Sequence, residues 1–282
     1  MIILSDYSNT ITVTTGDPDA LAYIAAAGIT SPTQQTAINN LVTSLKTSGM
    51  WAKLYAFYPL MGSTLTAMSY NLKNTSQYQI TWSNTPSIVS GGLSFNGTSQ
   101  YGDTNFSPIA VSGFALSNFL FGCWDATGFN TRTEIPMGIT ETVGGVGGTI
   151  RARTVWFNTN NNILDMYSDN NPATRVVMNA QNIGHWLFQR RSTTDIRGQW
   201  YATNTSGLSN LWTGSGTAVV TPLPTNKMFL AATSDGVAGA NNPALYSNKT
   251  YKFFYLSQST TAGSQHDSFV NDVYTWFSAV GK

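Results

Sequence analysis

DPDALAYIAAAGITSPTQQTAINNLVTSLKTSG, residues 17–49, carries two helix signatures in succession. Asp17 is an N-cap residue type, and Pro18 fits the first helical position, where a missing N–H costs nothing. The alanine-rich run 20–27 comes next, and Gly28 stops it. Ser31-Pro32 repeats the device, with Gln34 three residues after Ser31 at the spacing of a capping box. Ile38, Leu41, Val42 and Leu45 then recur at i, i+3, i+4 and i+7, one apolar helix face, and Gly49 is the expected C-terminal stop.

Outward from this stretch the pattern changes. Residues 1–16, β-prone and charged only at Asp6, are expected to form an edge strand or an arm that pairs with a neighbouring subunit. Residues 51–58 are predicted as a third short helix before Pro59, its Trp51, Tyr55, Phe57 and Tyr58 covering one end of the β region. From Gln77 the period becomes two. Leu93 and Phe95 predict a strand entering a tight hairpin at Asn96-Gly97, with Tyr101 on the return. Residues 114–124 alternate apolar and small side chains. Residues 149–157 read as a strand with Ile150, Ala152, Thr154 and Trp156 on one face and Arg151 and Arg153 on the other; loop 158–162 leads back into 163–167. Segments 185–191 and 199–203 bracket another hairpin, and 228–232 and 251–256 are further strands. Strands separated by polar turns without intervening helices predict an antiparallel sandwich or barrel. Helical periodicity returns in the last twenty residues. The glycine-rich run 144–148 lacks a following Lys-Ser/Thr and precedes a strand, so it predicts a loop and not a phosphate cradle.

Composition narrows the function. The 282 residues are 41% hydrophobic, ample for a core, yet only 10% charged, against roughly 25% in ordinary soluble domains. Net charge is +1 and no basic run exceeds Arg190-Arg191, so the electrostatic footprint of a nucleic-acid binder is missing. Cys123, the single cysteine, cannot form an intramolecular disulfide and is expected to be a buried thiol in a protein assembled in a reducing cytosol. The apolar 1–4 segment is too short for a secretory leader, and no stretch approaches the ~18 apolar residues of a membrane span.

The opening run, extended as DPDALAYIAAAGITSPTQQTAINNLVTSLKTSGMWAKLYAFYPLMG and followed by SYNLK, resembles the start of a recurrent group of bacteriophage virion proteins. Those proteins pair such a helical segment with a concanavalin A-like (laminin-G-like) β-sandwich. NNPALYSNKTYKFFYLSQ and SQHDSFVNDVYTWFSAVGK resemble the closing strand and terminal helix of the same group. The resemblance implies a mainly β chain: an antiparallel concanavalin A-like jelly-roll sandwich at 73–282 including a C-terminal helix, preceded by a helical attachment segment at 17–72. It further implies a structural component of a virion, associated with capsid, portal or tail and assembled in the host cytoplasm. The expected partners are other virion proteins and further copies of the chain. The alternative is a receptor-binding, lectin-like adhesin that recognises host surface glycan.

Catalytic signatures are sparse. Glycosidase chemistry needs two carboxylates ~5 Å or ~6.5–9.5 Å apart. Glu134 and Glu141, the only glutamates, are separated by Pro136 and Gly138, and the acidic positions in 165–169 read as a strand end and turn. No Gly-x-Ser-x-Gly elbow is present. His185 beside Trp186 reads as structural and His266 as solvated, and two histidines with one cysteine give no zinc spacing. The chain is therefore expected to be non-enzymatic and without a cofactor. Calcium is the one metal with candidate ligands, Asp235, Asn241 and Asn242, against the plainer reading of an Asn/Gly loop. A sugar site would need an aromatic platform ringed by amides and backbone donors. Trp212, in a loop rich in Gly, Ser and Asn, is the first candidate, with Trp200, Tyr201 and Tyr101; Trp156 and Trp186, mid-strand, are expected in the core.

Overall fold

The computed structural model describes residues 15–128, 134–141, 156–157, 162–164, 176–178, 183–202, 208–214, 223–237, 239–260 and 264–282. Helices α1 (Pro18–Ala26), α2 (Pro32–Thr47) and α3 (Met50–Lys53) lead into strand β1 (Leu54–Tyr58) and helix α4 (Leu65–Ser69). Strands β2 (Thr81–Ser83), β3 (Ser87–Val89), β4 (Gly92–Ser94), β5 (Tyr101–Asp103), β6 (Phe119–Asp125), β7 (Met137–Ile139), β8 (Trp156–Phe157) and β9 (Asn162–Leu164) come after it. Then come β10 (Val176–Met178), β11 (Gly184–Arg190), β12 (Ile196–Tyr201), β13 (Leu208–Gly214), β14 (Phe229–Leu230), β15 (Thr233–Asp235), β16 (Asn242–Ala244) and β17 (Thr250–Ser257), before helix α5 (Ser264–Ala279).

The helices start where the caps place them. Asp17 accepts from Asp19 N (3.0 Å) and Ser31 from Gln34 N (3.5 Å), with proline at the first helical position of each. Gly28 and Gly49 take left-handed φ values of 62° and 75° directly beyond the helices, a region open to glycine without strain.

Two sheets face each other. The larger runs β13-β12-β11-β6-β17-β4-β3 and is antiparallel throughout, with β1 also paired to β17. The smaller runs β16-β15-β7-β14-β5-β2, its one parallel pair among the described residues being β15 with β7; β10-β9-β8 form a third group. One apolar core, including Phe121, Cys123, Trp186, Phe188, Leu230 and Phe254, lies between the sheets. A second lies between the outer face of the larger sheet and the helices, joining Leu120, Trp124, Leu187, Phe253 and Tyr255 to Ile38, Leu41, Phe269 and Trp276. The larger sheet is thus covered on both faces, which is why all seven residues of β6 and of β11 are buried. Each fully buried Leu or Phe contributes about 2 kcal/mol. The architecture is the concanavalin A-like jelly-roll sandwich, with a helical layer built from both ends of the chain.

Three local expectations are corrected. Residues 54–58 are strand β1 and not helix: Leu54 and Phe57 enter the helix-side core, Ala56 and Tyr58 the inter-sheet core, with a bulge between Leu54 and Ala56. Phe57 and Tyr58 are therefore interior sheet residues, and Tyr55 packs partly buried against Phe106 and Phe114. Asn96-Gly97 is not a hairpin, because β4 belongs to the larger sheet and β5 to the smaller. Asn96 Oδ1 instead gathers the N–H groups of Thr98, Ser99 and Gln100 (2.9, 3.0 and 3.2 Å) and turns the chain from one sheet to the other. His266 is 6% exposed, not solvated. The 185–201 hairpin forms in unbroken register from His185↔Tyr201 to Arg190↔Ile196. Residues 1–14, 144–148, 149–155, 158–161, 165–169 and Thr203 fall outside the described residues. Among the described residues, no helix is long and apolar enough to cross a membrane.

Candidate functional site

The β11-β12-β13 meander positions the tryptophans. Trp186 on β11 pairs directly with Trp200 on β12, while Trp212 on β13 lies opposite Gly198, itself opposite Phe188. The absent side chain at Gly198 lets the Trp212 indole lie across β12 and reach Trp186, at 6.2 Å between centroids and 21° between planes. Trp186 and Trp200 are 6.1 Å apart at 33°. Trp186 is wholly buried; Trp200 and Trp212 are partly buried and pack on the inter-sheet core. Gly184, at φ 149°, makes room for Trp200, since a Cβ there would sit 2.7 Å from its Nε1. That Nε1 is buried with no hydrogen-bond partner among the described residues.

The four sugar-site candidates are not brought together. Trp212 belongs to a strand and not a loop, and shares a sheet face with Trp200. Tyr201, the next residue along β12, points to the opposite face because strand side chains alternate. It is 4% exposed beneath α5, so it is withdrawn as a sugar contact. Tyr101 lies in the other sheet against Phe229 (4.7 Å between centroids) and Tyr246 (6.1 Å). Of the calcium candidates, Asp235 and Asn242 pair across β15 and β16. Asp235 Oδ1 accepts from Gly236 N (2.8 Å), and Asn241 Oδ1 from Lys227 N (2.6 Å). Among the described residues no group of three or more His, Cys, Asp or Glu is placed to hold a metal ion.

Tyr201 instead belongs to a buried polar network under α5. Its Oη is 2.7 Å from His266 Nε2, Gln199 Nε2 is 2.8 Å from the same nitrogen, and Gln189 Nε2 donates to Gln199 Oε1 (2.7 Å). Thr260 Oγ1 donates to Gln189 Oε1 (3.0 Å) and lies 2.9 Å from His266 Nδ1. Since the Thr260 hydroxyl proton is used on Gln189, the network assigns the ring proton to Nδ1 and makes Nε2 the acceptor. His185 Nε2 meets Tyr255 Oη at 2.7 Å. Burial lowers His266 to about 4 and His185 to about 3, the latter helped by His266.

The carboxylates are equally enclosed. Lys249 Nζ is 2.5 Å from Asp125 Oδ2 and 3.7 Å from Glu134 Oε1, with all three side chains at most 2% exposed. Glu134 Oε2 accepts from Ser247 Oγ (2.8 Å) and Asn248 N (2.9 Å); burial raises its pKa, against the nearby Lys249 charge. Glu141 Oε2 accepts from Thr225 N and Asn226 N, both at 2.7 Å, and so anchors the chain entering β14.

A further concave feature has no counterpart among the sequence signals. A groove of about 470 Å³ at one end of the larger sheet is lined by Lys53, Ser117, Asn118, Arg191, Gln258 and Ser259, among others. Its residues come from four distant segments, each unremarkable in sequence, and nothing in the spacing links them.

No family model matches the chain, and no curated protein matches its sequence. In fold it resembles a mutant of Trypanosoma rangeli sialidase displaying trans-sialidase activity, at 13% identity and TM-score 0.50, over 88% of this chain and 40% of that one. Domain 4 of AbnA, a GH43 extracellular arabinanase from Geobacillus stearothermophilus, in complex with arabinotriose, matches at 12% identity and TM-score 0.44, covering 77% of this chain and 98% of that domain. The exoplasmic/lumenal domain of VIP36 in its Ca2+-bound form matches at 10% and 0.39, covering 76% and 93%. The chain thus spans about two fifths of the sialidase it matches. The non-enzymatic expectation is overturned by this likeness. It rested on a missing carboxylate pattern, and an enzyme with no such likeness in sequence carries the same fold over most of this chain. At 13% identity the likeness establishes fold and transfers no reaction.

Proposed function

We propose that this chain is a glycan-recognising β-sandwich, with Trp200 and Trp212 as its aromatic platform. The observation that carries the reading is the pair of partly exposed tryptophans on adjacent strands, Trp212 stacked on the buried Trp186 and Trp200 tilted against it. A sugar's C–H face stacks on such a ring, and a preset ring loses little rotamer freedom on binding. The shared sandwich of a sialidase is consistent with saccharide chemistry on this fold.

The setting we propose is a bacteriophage particle, assembled in the host cytoplasm, with the sandwich directed at host surface glycan and residues 17–72 facing other virion proteins. The support is the resemblance of residues 17–72 and of the C-terminal stretches to virion proteins. The low charge agrees, since interface cores are depleted in charged side chains.

Binding of the full chain to an array of bacterial surface glycans tests the recognition. Trp212→Ala is expected to weaken a positive signal at least tenfold, the loss of one stacked ring, when measured well below the variant's own unfolding midpoint, which falls because Trp212 also packs on the inter-sheet core. Unchanged binding by both Trp212→Ala and Trp200→Ala would remove these residues as the platform.

A further inference from the structure

The groove at the end of the larger sheet is electrostatically unusual for a chain with so few charges. Lys53 ends α3, Asn118 precedes β6, Arg191 follows β11, and Gln258 and Ser259 follow β17, so four chain segments converge there. Lys53 Nζ donates to Gln265 Oε1 (2.7 Å) and Ser259 O (3.4 Å), both uncharged acceptors. Arg191 Nε donates to Thr260 O (2.9 Å), and its side chain is only 10% exposed. The one carboxylate near it among the described residues, Asp195, stands 3.9 Å away and is held more closely by Arg197 Nε at 2.9 Å. Among the described residues no acidic side chain lines the groove, whereas hydroxyl and amide groups of Ser117, Asn118, Ser192, Thr193 and Gln258 do.

Lys53 has no close counter-charge among the described residues, and Arg191 shares its one carboxylate, Asp195, with the nearer Arg197, so the groove carries a net positive potential that attracts an anion. Desolvation lowers the pKa of both Lys53 and Arg191, and a bound anion would reverse that. The hydroxyl and amide lining suits an anion that also bears hydroxyls, and the volume is ample for a sugar ring. We infer that this groove binds the carboxylate-bearing ring of an acidic saccharide, a hexuronate, between Lys53 and Arg191. The saccharide part rests on the glycan reading above; the anion part rests on the groove alone. Trp200 and Trp212 on the inner sheet face are a separate contact.

The test titrates isotope-labelled full-length chain with sodium glucuronate, glucose and sodium sulfate, following amide shifts by NMR. Glucuronate is expected to bind with millimolar affinity and to shift residues near 117–118, 191–193 and 258–259, while glucose leaves them unmoved. Lys53→Gln keeps a polar group beside Gln265, and Arg191→Gln removes the guanidinium; each is expected to weaken glucuronate about tenfold, one charge-assisted contact. Added sodium chloride weakens it further. Urea midpoints confirm that both variants fold, and either one alone suffices. Sulfate binding as tightly as glucuronate, and lost with Arg191, would overturn the saccharide part and leave an inorganic-anion site. No glucuronate binding at tens of millimolar, or binding indifferent to both variants, would overturn the groove altogether. Loss of glucuronate binding in Trp212→Ala alone would overturn the groove while supporting the tryptophan platform.

Discussion

Acidification reads the His266 network directly. In the folded chain Nε2 faces Tyr201 Oη and the Gln199 amide nitrogen, the second of which cannot accept a proton's hydrogen bond. A charged ring would be desolvated and partly opposed, which is the physical content of a folded pKa near 4 against 6.5 in the unfolded chain. Below 6.5 the unfolded state therefore binds a proton that the folded state refuses. The stability from keeping this ring neutral is complete above 6.5 and is lost as pH falls towards 4. Between neutrality and a pH of about 4.5 the two values imply a loss of roughly 2.4 kcal/mol from His266 alone. His185, at about 3, adds a comparable amount over the same window. Urea denaturation across this range, on the parent and on His266→Gln, isolates the effect. Glutamine keeps an acceptor for Tyr201 but does not titrate, so the difference between parent and variant should shrink by about 2 kcal/mol between neutral pH and about 4.5. Carboxyls held high by burial, Glu134 and Asp272, pull in the opposite direction but are common to both proteins and cancel. A parent–variant difference that stays constant with pH would refute the assignment of a buried neutral imidazole.

Lys249→Met leaves Asp125 and Glu134 buried without their cation and should destabilise by about 3–5 kcal/mol in urea at neutral pH, with part of the loss regained in acid as Glu134, already raised by burial, protonates. Gly122→Ala places a Cβ 2.2 Å from Tyr255 Oη and 2.8 Å from Trp186 O, so a loss of at least about 1–3 kcal/mol is expected in thermal melts; a neutral substitution would mean that β6 and β17 are not packed as described. Asp17→Ala removes the α1 cap and the contacts of Lys46 at 2.6 and 2.8 Å, a loss of about 1–2 kcal/mol measurable by the same method.

Several elements were legible because their determinants are local. The Asp17-Pro18 and Ser31-Pro32 caps, the glycine stops and the heptad-like face at Ile38 to Leu45 each act within one or two helical turns, and the helices lie where those signals place them. The β11–β12 hairpin declares itself by alternation on both arms. Residues 54–58 misled because LYAFY is apolar on every side. A strand covered on both faces has no period to read, so the choice between helix and strand passed to pairing with β17. At Asn96-Gly97 the turn chemistry was real, but which sheet receives the next strand is not a local property.

The candidate site divides along the same line. That Trp186 and Trp200 sit on strands is a matter of period two, and sequence suffices for it, whereas the polar surroundings of Trp212 read as a loop although it lies on β13. Adjacent Trp200 and Tyr201 then look equally good as sugar platforms. Only the tertiary structure separates them, because α5 returns from the far end of the chain to bury one face of β12 and leave the other partly open. The pairing of Lys249 with Asp125 and Glu134, more than a hundred residues away, and the meeting of Lys53 with Arg191 depend likewise on which segments the sandwich brings to one place. Sequence by itself determined the fold class and the boundaries of α1 and α2, the latter because capping free energies come from neighbours a few residues apart. Tertiary structure alone decided which polar groups are enclosed and which remain open to a ligand, because desolvation depends on surfaces contributed by distant parts of the chain.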